Sequence, residues 1–305
     1  MIALKTDHLV KKFGQTTVID NLSFSVPEHS VFGFLGQNGA GKTTTMKMVL
    51  GLLKSDGGTI EIFGQKVTYG QTKTNQFVGY LPDVPEFYNY MTPREYLRLC
   101  GEITGLDNSK IQKRSKELLD LVGLPINRKR IGGFSRGMKQ RLGIAQALLN
   151  EPQLLICDEP TSALDPIGRK EILEILSQVK EKTTVLFSTH ILSDVERICD
   201  HVAILNRGSI VLEGELEEIK AKHAQNQVQV EFKKLEDMDA FMQDEKIMRY
   251  TKHSQKKELG VTFSFQDIQR GEQDIMRTLF HLNIIPVKYE LLEPSLENMF
   301  MEVVQ

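Results

Sequence analysis

Residues 36–43 read Gly-Gln-Asn-Gly-Ala-Gly-Lys-Thr, the spacing G-x-x-x-x-G-K-[ST] that can wrap a phosphate. Glycines at 36, 39 and 41 let backbone N–H groups turn inward around an anion, where side chains would obstruct them. Gln37, Asn38 and Ala40 fill the variable places. Lys42 can reach terminal phosphates, and the Thr43 hydroxyl is placed to hold Mg²⁺. A glycine-rich turn with a surface lysine would share these letters but not their setting. Val31–Leu35 ahead of the loop reads as a buried strand, and Thr44–Leu50 behind it as a helix stopped by Gly51. Such a helix turns its positive N-terminal end toward the same anion.

Three further groups could do chemistry. Leu154–Cys157 is an apolar strand that runs into Asp158 and Glu159. A carboxylate at a strand end can hold Mg²⁺ through water, and its neighbour can polarise an attacking water as general base. An acidic surface turn carries the same pair, but an apolar strand leading into Asp-Glu-Pro argues for a site. Ser188-Thr189-His190 closes another apolar run, and Ser162-Ala163-Leu164-Asp165 follows the acidic pair. A lone histidine is more often structural; at the end of a core strand, its imidazole can donate to a γ-phosphate. Phe134-Ser135-Arg136-Gly137-Met138-Lys139-Gln140-Arg141 enters a helix read over Leu142–Leu149 and offers a second anion site at a helix N-terminus.

The elements that must position these groups alternate. Strands are read at Val18–Val26, Thr59–Gly64, Gln153–Cys157, Thr184–Phe187 and His201–Leu205. Helices are read at Pro93–Cys100, with Thr92 as N-cap, and at Ser109–Val122, stopped by Gly123 and Pro125. Apolar strands separated by helices imply a mainly parallel sheet, an α/β fold. After Lys220 the pattern changes. Lys222–Gln227 is polar and reads as a linker. Beyond it, strands at Val228–Phe232, Ile247–Lys252, Val261–Phe265 and Pro286–Leu292, with helices at Leu235–Gln243 and Gly271–Leu282, give the order β-α-β-β-α-β of a ferredoxin-like unit. A closing helix is read from Ser295 to Phe300.

With 305 residues the chain suits two domains, and a net charge of −2 with no basic arm argues against nucleic acid as the main partner. Cys100, Cys157 and Cys199 are too few and too scattered for a disulfide framework or a zinc site, which fits a reducing compartment. Charges break the first residues, which therefore do not read as a signal peptide. No apolar run approaches the ~20 residues of a membrane span, so any membrane role comes through a partner.

The order of these motifs resembles the ATP-binding cassette ATPases that power membrane transporters, over residues 1 to about 220. The resemblance implies ATP and Mg²⁺ as ligands. It places the phosphate loop at Gly36–Thr43 with Thr44 beside it, the magnesium carboxylate at Asp158, the catalytic base at Glu159 and the switch histidine at His190. The signature loop falls at Phe134–Met138, and Phe13 falls where the family stacks an aromatic on adenine, although an edge core residue would look the same. Two departures stand out. Phe134, Arg136 and Met138 replace three of the five usual signature residues, whereas Ser135 and Gly137, which meet the γ-phosphate in the family, remain. Asp83 stands where the family has a glutamine after Val78–Pro82, and a carboxylate there could ligate Mg²⁺ or its waters.

The implied architecture is a cassette domain over 1–220, with an antiparallel β subdomain and a helical subdomain, followed by an accessory α+β domain over 221–305. The Gly137–Arg141 variant and the segment Glu293–Glu297 are similar to the bacterial branch that exports antibiotics, peptides or ions with separately encoded permeases, bacitracin and lantibiotic resistance among them. The implied partners are a second copy in the ATP-bound state and an integral membrane permease, on the cytoplasmic face of the cell membrane. Three other readings are weaker. A soluble cassette protein of translation or repair would carry two cassettes or a coiled-coil insertion. An importer subunit would end in a small β-barrel, and a GTPase would carry Asn-Lys-x-Asp.

Overall fold

The structure is a computed structural model that describes residues 1–71, 73–125, 128–222, 227–265, 267–292, 296, 297, 299 and 300. It divides into two compact units, Met1–Glu217 and Glu218–Met299.

The first unit opens with the antiparallel pair β1 (Ile2–Phe13) and β2 (Thr16–Pro27). There follow β3 (Val31–Gly36), α1 (Lys42–Val49), β4 (Gly57–Ile62), β5 (Gln65–Lys66) and β6 (Val78–Leu81). Three helices come next: α2 (Pro93–Ile103), α3 (Asn108–Leu121) and α4 (Arg136–Ala147). The unit continues through β7 (Leu154–Asp158), α5 (Pro166–Val179), β8 (Thr184–Thr189), α6 (Leu192–Ile198), β9 (His201–Asn206) and β10 (Ser209–Glu215), after which α7 (Leu216–Lys222) begins.

The central sheet has the order β10-β9-β3-β8-β7-β6, parallel except for β10. Every residue of β3, β7 and β8 is buried, which is why these strands read as unbroken apolar runs. The smaller sheet, β2-β1-β4-β5, is antiparallel. Its inward Leu4, Leu22 and Phe24 share one core with Phe32 and Phe34 of β3, and the rings of Phe24 and Phe34 stack at 5.1 Å. Thr92 caps α2 as expected: its Oγ1 accepts from Glu95 N, and the Glu95 carboxylate accepts from Thr92 N.

Parallel strands all end on the same edge. Leu35 is opposite Thr189, and Asp158 is opposite Ser188, so the loops after β3, β8 and β7 emerge side by side. That edge, beyond the carboxyl ends of the strands, is where open α/β sheets bind ligands.

The second unit contains β11 (Gln227–Glu231), α8 (Leu235–Met242), α9 (Glu245–Met248), β12 (Ser254–Lys257), β13 (Gly260–Ser264), α10 (Ile268–His281) and β14 (Lys288–Leu292). Its sheet, β12-β13-β11-β14, is wholly antiparallel, the strand order of a split β-α-β pair. Phe232, Phe241, Phe263 and Ile275 lie in its own core.

Some expected elements are displaced. The strand read at Ile247–Lys252 is instead the end of α9 and a turn of 3₁₀ helix, and the strand begins at Ser254. Asp244 caps α9 by accepting from Lys246 N, so Ile247 is buried from a helix. The true strand, Ser-Gln-Lys-Lys, lies at the sheet edge and has no apolar alternation to announce it. Helix α4 starts at Arg136 rather than Leu142, because Ser135 caps it with Oγ accepting from Met138 N. The expected linker falls largely outside the described residues, as do Glu293–Ser295; of the closing helix, Leu296–Glu297 and Met299–Phe300 are helical. No helix among the described residues is long and apolar enough to cross a membrane.

Candidate active site

The loop from β3 to α1 depends on its glycines. Gly39 and Gly41 adopt φ of 84° and 112°, and a Cβ on Gly41 would strike Ile19 Cδ1 and stand 3.2 Å from Val18 O. Helix α1 has no side-chain cap and no acid in its first turn, so nothing of its own competes with an anion for its N-terminal donors. Lys42 is buried at 6% exposure. Its ammonium donates to Gly36 O at 2.6 Å and Gln37 O at 3.2 Å, and sits 3.0 Å from Glu159 Oε1.

The neighbouring strand ends complete the arrangement. Thr43 Oγ1 donates to Asp158 Oδ2 at 2.7 Å, and Ser188 Oγ donates to Asp158 Oδ1 at 2.6 Å. Asp158 is thus held at both oxygens and almost fully buried. No cluster of three or more metal-ligating acids, histidines or cysteines exists among the described residues. One carboxylate beside one hydroxyl is nevertheless the donor set that suits Mg²⁺, which takes few protein ligands and completes its shell with phosphate and water. The residues present fit that ion.

Glu159 follows in a left-handed conformation, φ 48°. Its N–H is shared between Ser188 O at 3.2 Å and Ser188 Oγ at 3.0 Å. His190 Nδ1 lies 2.9 Å from Glu159 Oε2. Glu159 Oε1 is buried and faces the Lys42 ammonium at 3.0 Å without hydrogen-bond geometry, so that contact is one of charge. A bond to a carboxylate places the proton on Nδ1 of His190; Nε2 then donates to a phosphate only from the imidazolium form. Phosphate loop, acidic pair and histidine therefore form one connected group.

Phe13 ends β1 with half its surface exposed, and Lys11 Nζ lies 5.2 Å from its ring centroid. A core residue would not stand so open, and an exposed ring is one on which a base could stack. Ser135 and Gly137 stand apart from the group. Their helix α4 packs on β6, the edge strand, whereas the phosphate loop springs from β3 with β8 and β7 between. Asp83 follows β6 and points its Oδ1 at Arg136, 3.3 Å away, while its backbone O accepts from Gln140 Nε2 at 2.6 Å. Burial raises its carboxyl above the usual range; Arg136 opposes this, and the charges of Asp158 and Glu159 add to it.

Two contributors are not legible as such in the sequence. Ser188 stands in a noted motif, but its bond to Asp158 arises only from the pairing of β7 with β8. Tyr80, on β6, is pushed up to about 12 by burial and then by the charge of Asp158.

Residues 19–162 match the family described as ABC transporter, and residues 214–304 that described as ATP-binding protein DrrA1-3-like, C-terminal domain. The chain is 38% identical over 302 residues, 99% of each chain, to the uncharacterized ABC transporter ATP-binding protein YxlF of Bacillus subtilis (strain 168). It is 38% identical over 308 residues, 99% of this chain and 97% of the relative, to the bacitracin transport ATP-binding protein BcrA of Bacillus licheniformis. Among solved structures, the ATP binding subunit of an ABC transporter superposes with a TM-score of 0.65 at 34% identity, covering 72% of this chain and 92% of that one.

Proposed function

The chain belongs to the ABC transporter ATP-binding family, and from that premise we propose that it couples MgATP hydrolysis, in a head-to-tail homodimer, to export by a separately encoded membrane permease. ATP binding and ATPase activity are properties of the family to which it belongs. The observation that carries the finer reading is the connected group Thr43–Asp158–Ser188–Glu159–His190–Lys42, drawn from three adjacent strand ends.

In this reading Lys42 and the N-terminus of α1 hold the phosphates. Thr43 and Asp158 would hold Mg²⁺, which when bound neutralises charge on the terminal phosphates. The Glu159 carboxylate takes the proton of the attacking water, and His190 keeps it oriented through Oε2. Phe13 stacks on the adenine. Ser135 and Gly137, standing beyond β7 and β6, serve the γ-phosphate of the partner chain, so two chains complete two sites.

An exposed patch supports a membrane partner. Val84, Tyr88 and Tyr90 are each more than half exposed and adjoin a groove of about 560 Å³ lined by Asp83, Phe87, Phe134 and Arg136. Open aromatic surface of this kind marks interaction sites. A permease seated there would keep the ATPase on the cytoplasmic face of the membrane. The bacitracin transport relative suggests an antibiotic or peptide cargo. The test is Glu159→Gln, which should keep ATP binding, lose turnover and accumulate a dimer with ATP on size-exclusion chromatography. Wild-type turnover would remove Glu159 from the role of base.

A further inference from the structure

Asp194, on α6, is buried at 2% exposure and takes no part in the group described above. Its oxygens are divided between two donors. Oδ2 accepts from Thr161 Oγ1 at 2.7 Å, and Oδ1 accepts from the Arg169 guanidinium at 2.6 Å. Both donors lie on the chain that leaves Glu159: Thr161, itself fully buried, in the turn after β7, and Arg169 in α5. Helix α6 in turn follows His190, and Asp194 N donates back to Ile191 O at 3.2 Å. One buried carboxylate therefore joins the turn after the acidic pair to the helix after the histidine.

The tie falls where the backbone needs it. Glu159 and Ala163, on either side of Thr161, both have positive φ, 48° and 52°. Each such residue costs on the order of 1 kcal/mol or more and persists only where its surroundings over-determine it. Upstream, Ser188 holds Glu159 through its N–H, and Ser162 N closes on Glu159 O at 3.1 Å. Downstream, the Thr161 bond to Asp194 is the buried anchor. It is short and charge-assisted in a dry environment, the kind of hydrogen bond that fixes geometry. Were Asp194 only a satisfied partner for Arg169, the Thr161 hydroxyl would be dispensable.

We infer that Asp194 is a positioning residue that acts through Thr161, holding the Glu159 turn in register with His190. The inference rests on the reading of Glu159 as general base. The test is steady-state MgATP hydrolysis by the full chain. Thr161→Val keeps the volume and removes the donor, and Thr161→Ser restores the donor. Thr161→Val should lower kcat by about tenfold or more, because misplacement of about 1 Å can cost on the order of a hundredfold. KM should stay within about twofold, since phosphate contacts are untouched. Thr161→Ser should recover most of the loss. A smaller loss of kcat, a parallel rise in KM, or no rescue by serine would each overturn the inference. Should Thr161→Val not melt cooperatively, Asp194→Asn, which removes the charge from the same bond, is judged by the same kcat and KM criteria. Glu159→Gln run alongside separates the two claims. Turnover surviving in that variant refutes the base itself, whereas an inactive Glu159→Gln beside a fully active Thr161→Val refutes only the role of Asp194.

Discussion

Lys42→Ala tests the site most directly, because one ammonium carries three contacts. In the folded chain it donates to Gly36 O and Gln37 O and faces Glu159 Oε1 at 3.0 Å. Alanine leaves both carbonyls and a carboxylate of 12% exposure with less compensation. Hydrogen bonds to a charged group are worth roughly 1.5–3 kcal/mol, but removing Lys42 also removes the cost of burying its ammonium. The stability loss should therefore lie near the low end, about 1–2 kcal/mol, or roughly 2–8 °C in melting temperature for a domain of this size. Loss of the contact to phosphate should weaken ATP binding about ten- to a hundredfold and abolish turnover. A fluorescent ATP analogue reports binding, phosphate release reports turnover, and a thermal melt reports stability. Because Lys42 and Glu159 touch, their effects should not add: Glu159→Gln should offset part of the stability lost in Lys42→Ala. Turnover above about a tenth of wild type in Lys42→Ala would refute the loop as the phosphate site. Strict additivity of the two melts would refute the ion pair as an energetic contact.

Two predictions concern residues that depart from the family pattern or stand far from the loop. The Asp83 carboxyl is raised by burial and by Asp158 and Glu159. Its contribution to stability is therefore present below its unfolded pKa and lost as pH rises through the folded one. The melting temperature of wild type minus Asp83→Asn should fall as pH rises from about 4, and a pH-independent difference would refute the raised carboxyl, its burial first. Asp83→Gln should stay active, and a Mg²⁺ titration identical to wild type would make Asp83 a partner of Arg136 and no part of the metal site. For the dimer, Lys42→Ala chains mixed with Ser135→Arg chains, each inactive alone, should regain activity in mixed dimers through one intact composite site. Proven mixed dimers without activity would count against sites shared between chains.

The loop, the acidic pair and the histidine were legible because each ends an apolar strand buried on both faces, and such strands leave an unbroken signature. Strand β1 gave none, since Lys5, Asp7, His8, Lys11 and Lys12 interrupt it. Helix α4 gave a misleading one, because Arg136-Gly137-Met138-Lys139 looks like loop until Ser135 is known to cap it. What a linear reading cannot supply is adjacency. The bond from Ser188 to Asp158, the contact of Lys42 with Glu159 and the tie from Thr161 to Asp194 join residues brought together by sheet order alone. The order β3-β8-β7-β6 also bears on assembly. It sets the phosphate loop, histidine and acidic pair on successive strands and leaves the capped N-terminus of α4 packed beyond the edge. A γ-phosphate held by Lys42, as proposed, would meet Glu159 and His190 from its own chain. In the proposed assembly the second set of helix N-terminal donors, at Ser135 and Gly137, would come from another molecule. An anion beside Asp158 and Glu159 would be better tolerated once such donors arrive. Closure of the dimer and the chemistry would thus be one linked equilibrium, favoured by ATP and released when the γ-phosphate leaves.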